Sequence, residues 1–332
     1  MRSVVHCCRL ASFLTYIAVH RRFMLDVEGL VRPRAFGSLP LARRPFTYAD
    51  AMNAGYTRGM VRHLLRTGRW RALRRGVFCD AALFEQADPV WLHAAAALLV
   101  MTVGSAISHE TAGMLDDLPL GRPPQALSSP PITGSPPVTY LTRPRTSGHG
   151  RHTHPGIIER AASLPPSHVR QLQGLLTTTA ARTVVDLARL RPYPEGVALA
   201  DCAMHLGLTT RAELVAVRDA CENWPGIQRA AQVIDFADGA AESPLESRSR
   251  IAFSLGGLPT PTLQAVILFR EGGHARVDFL WERWQVIGEA DGRLMIQQPK
   301  DLWDEKLRET SCVSSATKWS GGRGTRSSTT PR

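Results

Sequence analysis

From residue 240 onward the chain places its carboxylates at the ends of a short run of regular elements, and that order leaves few folds open. Ser243-Pro-Leu-Glu246 is a capping box with proline at the first helical position. A helix is therefore predicted over 241–256, stopped by Gly256-Gly257. Strands follow at 262–269, 276–280 and 284–289, with a turn at 271–274 and a charged helix at 299–309. Asp278 falls on the second strand, Glu289 ends the third, Asp291 comes just after it, and Glu246 sits on the helix. Hydrolysing a phosphodiester needs a divalent ion to polarise the phosphate and bind the attacking water. Mg²⁺ (or Mn²⁺) prefers a few carboxylates plus water and phosphate. Asp278 and Glu289 are the candidate metal ligands, Asp291 is a third acid, and Glu246 would support the site. A plainer reading stands beside this one: Asp278 ends a strand and 289–292 is a tight turn.

A second constraint lies in residues 46–80. Thr47 and Thr57 stand before two helical patterns, 48–54 and 58–67, closed by Gly55 and Gly68. Met60, Val61, Leu64 and Leu65 recur at helical spacing in the second. Trp70 to Phe78 reads as a two-stranded ribbon turning near Arg75-Gly76. Helix, turn, helix and basic ribbon is the order of a winged helix-turn-helix. The unit holds Arg58, Arg62, Arg66, Arg69, Arg71, Arg74 and Arg75 against Asp50 and Asp80 alone. Arg58, Arg62 and Arg66 repeat every four residues, so they share a helix face that can follow a phosphate track or enter a major groove. A solvated arginine-rich face is the competing reading.

Charge elsewhere is segregated. Of the net +11, the first 45 residues carry +6 and residues 310–332 carry +4, which leaves +1 for the body. A uniformly basic protein is thereby excluded, and a local basic patch is what remains. None of the six cysteines has zinc-ligand spacing, as expected of reduced thiols in a cytoplasmic protein. No apolar run approaches the ~20 residues of a membrane span. Met24 is a plausible alternative start, and 11–19 is a poor signal peptide. Residues 89–237 read as mixed α/β support, with helices expected at 89–103, within 175–190 where the Thr run 177–179 is the cap and Val184, Leu187 and Ala188 face inward, and at 197–207 and 211–223, and strands near 138–142 and 156–160. The adjacent pair His109-Glu110 is not expected to face one site.

Four ordered blocks, Ser243-Pro-Leu-Glu-Ser247, Arg276-Val-Asp-Phe-Leu-Trp281, Gly288-Glu-Ala-Asp-Gly-Arg293 and 301–309, resemble the very-short-patch-repair-endonuclease-like branch of the PD-(D/E)XK superfamily. Residues 46–230 are similar to actinobacterial AbiEi-like proteins, named for a type IV toxin–antitoxin system. There the matching blocks are 68–78, Ser108-His-Glu-Thr-Ala112 and 178–188. The resemblances imply an α/β multidomain chain. Its parts are an extension (1–45, partly disordered), a winged helix-turn-helix (46–88), a mixed α/β region (89–237), a restriction-endonuclease-like core (240–310) and a disordered tail (311–332). Two departures weaken an active nuclease. Asp291 stands where the superfamily pattern places a lysine, and the core gives way after Glu309 to a tail without apolar period, as though truncated or frameshifted. Neither Arg293 nor Lys300 is well spaced to substitute, and an arginine cannot act as a base.

Three readings follow. The first is a Mg²⁺-dependent DNA endonuclease in defence or repair, without organic cofactor. The second is a non-catalytic antitoxin-like autorepressor that binds duplex DNA through 46–80, and the third is a remnant with neither activity. Double-stranded DNA is the expected partner, with a cognate toxin implied by the resemblance. A homodimer suits either DNA-binding reading.

Overall fold

The computed structural model describes residues 40–101, 103–120, 138–145, 154–268 and 274–290. Expectations for 1–39, for Asp291, for the helix at 299–309 and for the tail lie outside the described residues.

The first unit runs β1 (Phe46–Thr47), α1 (Tyr48–Asn53), α2 (Arg58–Arg66), β2 (Trp70–Arg74) and β3 (Val77–Asp80). Its three strands form an antiparallel sheet in the order β1-β3-β2. Thr47 and Asp50 cap α1 reciprocally: the Asp50 N–H donates to Thr47 Oγ1 (3.1 Å) and the Thr47 N–H to Asp50 Oδ2 (2.7 Å). An N-cap of this kind stabilises a helix by about 1 kcal/mol. The Thr57 hydroxyl accepts the Met60 N–H at the start of α2. Phe46 stacks edge-on against Trp70 at 4.7 Å, and Val61 and Phe78 join them in the core. Met60, expected on the inner stripe with Val61, is instead 47% exposed, because the sheet contacts only the Val61, Leu64 and Leu65 side of the helix. Gly76 turns the ribbon with φ +75°, a conformation a side chain would strain.

Helices α3 (Ala81–Gln86) and α4 (Pro89–Leu98) lead into the second unit. Its strands are β4 (Ala106–Ile107), β5 (Thr139–Pro144), β6 (Ile157–Ala162), β7 (Val169–Leu172) and β8 (Leu175–Thr178), with α5 (His109–Leu115) between the first two. They pair in the order β6-β5-β4-β8-β7, with two parallel and two antiparallel ladders. Within 175–190 the Thr run caps a helix as expected, and the residues before the cap form a strand. Thr177 and Thr178 are buried in the sheet, while Thr179 caps α6 (Ala180–Leu190), accepting the Arg182 N–H. Val184, Leu187 and Ala188 face inward as expected. Helices α7 (Tyr193–His205), α8 (Arg211–Ala220) and α9 (Ile227–Phe236) complete a bundle around α6. Arg182 is fully buried there, donating to Asp186 Oδ2 (2.8 Å) and to His168 Nδ1 (2.8 Å), with its guanidinium 4.5 Å from the Trp224 ring. That geometry accounts for the arginine and aspartate of the 178–188 block, four residues apart on one helix face.

Last come α10 (Pro244–Leu255), β9 (Thr262–Leu268), β10 (His274–Trp281) and β11 (Val286–Gly288). The strands make an antiparallel sheet in the order β11-β10-β9. Helix α10 faces two ways. Phe253 meets Phe279 and Trp281 edge-on, each at 5.1 Å. On its other side Ile251 joins the helical core, and Arg250 pairs with Asp201 at 2.8 Å while donating to the Phe236 carbonyl. The chain is thus mixed α/β with several sheets and ten α-helices among the described residues.

Candidate nucleic-acid interface and acidic cluster

Of the seven arginines singled out in 46–80, six are exposed: Arg58, Arg62, Arg66, Arg69, Arg71 and Arg75. Three lie on α2 and the others on or beside the ribbon, so cations flank both elements of the unit while its aromatic core faces away. The Arg66 guanidinium lies 3.4 Å from His63 Nδ1 and that of Arg71 lies 6.0 Å from the Phe84 ring, contacts weak enough to leave both available to a phosphate.

Arg74 departs from the expectation. The β2–β3 register slips between Ala72 and Arg74, so that Leu73 is the extra residue of a bulge. Leu73 is buried, and the Arg74 guanidinium donates to Thr139 Oγ1 (2.8 Å) and the Pro155 carbonyl (3.0 Å). Burial pulls the Arg74 pKa down to about 10. The bulge thereby converts one expected DNA contact into a tie between ribbon and five-stranded sheet.

The acidic residues are brought together, but around protein donors. Glu246 is buried and accepts from the Glu242 N–H (2.9 Å), the Ser243 hydroxyl (2.8 Å) and the Gln264 amide (2.9 Å). The Ser243 hydroxyl in turn accepts the Glu246 N–H, so the box closes on the residue before the cap. Asp278 accepts from Gln264 through Oδ1 (3.3 Å) and from the Ala290 N–H through Oδ2 (2.8 Å). The Phe279–Gly288 pairing, carried one step further, sets Glu289 across from Asp278. Glu289 itself is exposed.

Gln264 is the residue that sequence reasoning missed. It holds φ +50° in the middle of β9, where a non-glycine residue is strained, and its amide bridges Glu246 and Asp278. An amide donor shared by two carboxylates takes the position a cation between them would take. No three His, Cys, Asp or Glu side chains gather as a metal cage among the described residues. The described acids as placed do not fit a divalent ion, and Asp278 acts as a clasp on the backbone after β11. Arg276 reinforces the same corner with a bidentate pair to Glu242 at 2.7 and 2.8 Å.

Desolvation keeps two thiols protonated, those of the buried Cys79 and the half-buried Cys202. Burial raises Cys79 to about 12 and Cys202 to about 11. Among the described residues, no helix is long and apolar enough to cross a membrane.

Two curated relatives are the uncharacterized proteins Rv2248 and MT2308 of Mycobacterium tuberculosis, each 31% identical over 142 residues. The match takes in 43% of this chain and 52% of each relative, so the chain spans about half the length of the curated relatives it matches. The crystal structure of the RV2827C protein from Mycobacterium tuberculosis superposes at a TM-score of 0.41 and 13% identity, over 72% of this chain and 87% of that one. Residues 132–236, which hold most of the five-stranded sheet and its helical bundle, match the model of the AbiEi antitoxin C-terminal domain, and this part of the chain is AbiEi-like.

Proposed function

We propose that the chain is an antitoxin-like autorepressor that binds duplex DNA without metal. Residues 46–80 serve as its winged helix-turn-helix, and the AbiEi-like region is the part that meets a cognate toxin. The observation that carries this reading is the set of six exposed arginines on α2 and the ribbon. The match of 132–236 to an antitoxin domain supports it from an independent part of the chain. A helix with Arg58, Arg62 and Arg66 along one side places cations one turn apart, which suits phosphates flanking a groove. A two-fold dimer would present two such units to a palindromic operator. The test is fluorescence anisotropy on the chain's own promoter in EDTA. Tight binding that weakens in Arg62→Ala plus Arg66→Ala supports the proposal, and no binding in EDTA sinks it.

Metal-dependent hydrolysis by the C-terminal sheet is a second reading, favoured by the register that sets Glu289 across from Asp278. It requires an ion to displace Gln264 from between the acids. DNA cleavage with Mg²⁺ or Mn²⁺ that disappears in Asp278→Ala would establish it. Equal inertness of both proteins would remove it.

A further inference from the structure

Helix α2 carries two neighbouring residues that the packing of the protein leaves unexplained. Gly59 is exposed in the first turn, and its backbone is not left-handed. A Cβ there would meet only the Thr57 hydroxyl, at 3.8 Å, which is ordinary contact. Glycine therefore costs the helix some stability and gives the free protein nothing in return. Met60 follows it and is 47% exposed. A lone methionine is common on a protein surface. One that adjoins a bare backbone on an arginine-lined helix has a more specific use.

Helical spacing fixes how these residues are arranged. Val61, Leu64 and Leu65 pack against the core. Gly59, His63 and Arg66, four and three positions apart, form the line farthest from that side. Arg58 and Arg62 run along one flank of this line, and Met60 stands on the other. Helix α2 has no acid, so nothing on it repels a phosphate. The outward surface thus has cations on one flank, a bare backbone at the centre of its first turn and an apolar side chain on the opposite flank. Duplex DNA offers the complement. Phosphates line the groove walls, and the thymine 5-methyl is the apolar group on the major-groove floor. A side chain at position 59 would hold the helix off that floor. Methionine is unbranched and flexible, so it can fold under the helix and reach a methyl group from the flank.

We propose that the first turn of α2 reads base sequence: Gly59 lets the helix backbone approach the base edges, and Met60 packs on a thymine methyl. The arginines hold phosphates, which position the protein without selecting a sequence, while Gly59 and Met60 select the site. This assignment rests on the DNA-binding reading of residues 46–80 and adds a thymine requirement to it.

The probes are the chain's own promoter duplex and the same duplex with deoxyuridine in place of every thymine. The exchange removes the 5-methyl groups and leaves charge and base pairing intact. Binding of the full chain is followed by fluorescence anisotropy in EDTA. The parent is expected to bind the deoxyuridine duplex at least about fourfold more weakly, the effect of exposing one buried methyl group. Met60→Ala should bind the thymine duplex more weakly and no longer distinguish the two, with its salt slope unchanged because no phosphate contact is lost. Gly59→Ala should melt at the parent's temperature or above it, because alanine favours the helix, yet bind the promoter roughly tenfold more weakly. Equal parental affinity for the two duplexes would overturn the proposal, as would full affinity in Gly59→Ala. A Met60→Ala protein that binds less tightly but still prefers the thymine duplex would assign Met60 to a protein contact and overturn it too. In these three cases salt-dependent binding to the promoter persists and the DNA-binding reading stands. A parent that binds neither duplex removes both.

Discussion

Removing Arg62 and Arg66 together tests the arginine face most directly, because the structure sets how large the effect should be. Six arginines of the unit are exposed, and Arg74 is tied to Thr139 and Pro155. If all six reach phosphates, log K should fall against log salt with a slope of about −5.4, and loss of two contacts should reduce that to about −3.6. Raising salt from about 50 to about 200 mM then weakens the parent roughly 1,800-fold and the double variant roughly 150-fold. The assay is anisotropy of a labelled duplex at several salt concentrations, with circular dichroism to confirm that both proteins are folded. Arg74→Ala is the internal control. It should lower thermal stability by removing the tie to the buried Thr139 hydroxyl and to the Pro155 carbonyl while leaving the salt slope where it was. An unchanged slope in the double variant would refute the assignment of α2 to DNA, and a flattened slope in Arg74→Ala would refute the structural role given to that residue.

Other expectations concern stability. Asp201→Ala strands the Arg250 guanidinium, which is only 7% exposed, and should cost about 3–5 kcal/mol in urea denaturation. Asp201→Leu with Arg250→Met should recover most of that loss, and no recovery would argue that Arg250 matters through the Phe236 ring and carbonyl instead. In Gly226→Ala the new Cβ would lie 2.4 Å from the Arg189 carbonyl oxygen at φ +80°, so a loss exceeding about 1 kcal/mol is expected; a neutral result would contradict that close approach. Burial lowers the pKa of His109, so the unfolded chain takes up its proton first as pH falls. Stability is therefore full above about pH 6.5 and declines below it by about 1.4 kcal/mol per pH unit from this one group. His109→Asn should flatten denaturation free energy against pH between 7 and 5, and an unaltered slope would exclude His109 as the source.

Much of this architecture was legible wherever a cap and an apolar period coincided. Thr47, Thr57, Thr179, Thr210 and Ser243 each stand at a helix start, because a short side-chain oxygen before a periodic run has few other uses. Ser108 shows the limit of that rule. It precedes α5 as a cap would, yet its hydroxyl makes no capping bond and joins Thr142 to His109. Strand β4 is two residues long, too short for alternation to register, and β7 and β8 are four residues each. Arg74 could not be told from its neighbours, since the bulge at Leu73 depends on the partner strand. Gln264 carried no signal at all, because its role comes from a left-handed backbone inside an apolar strand.

The same reasoning ranks the two functional readings. A charged residue in a sequence advertises a potential contact, and only its partners in the fold show whether that contact is still to be made. The carboxylates of 240–290 made the louder signal, because their order along the chain matches a reaction. In the fold Glu246 accepts three donors, Asp278 accepts two, and Gln264 stands between them. Each of these bonds would have to lengthen or break before an ion could sit there. The arginines of 46–80 made a weaker signal, since arginine is common throughout this chain. In the fold six of the seven face water with no ion-pair partner in their own unit, and the seventh is the one that fastens the ribbon. Binding DNA asks these side chains to exchange water for phosphate, whereas binding a metal asks the acids to give up protein. The first exchange is driven by counterion release and needs no rearrangement of the fold. The second must overcome hydrogen bonds already made to charged groups, each of which contributes about 1.5–3 kcal/mol.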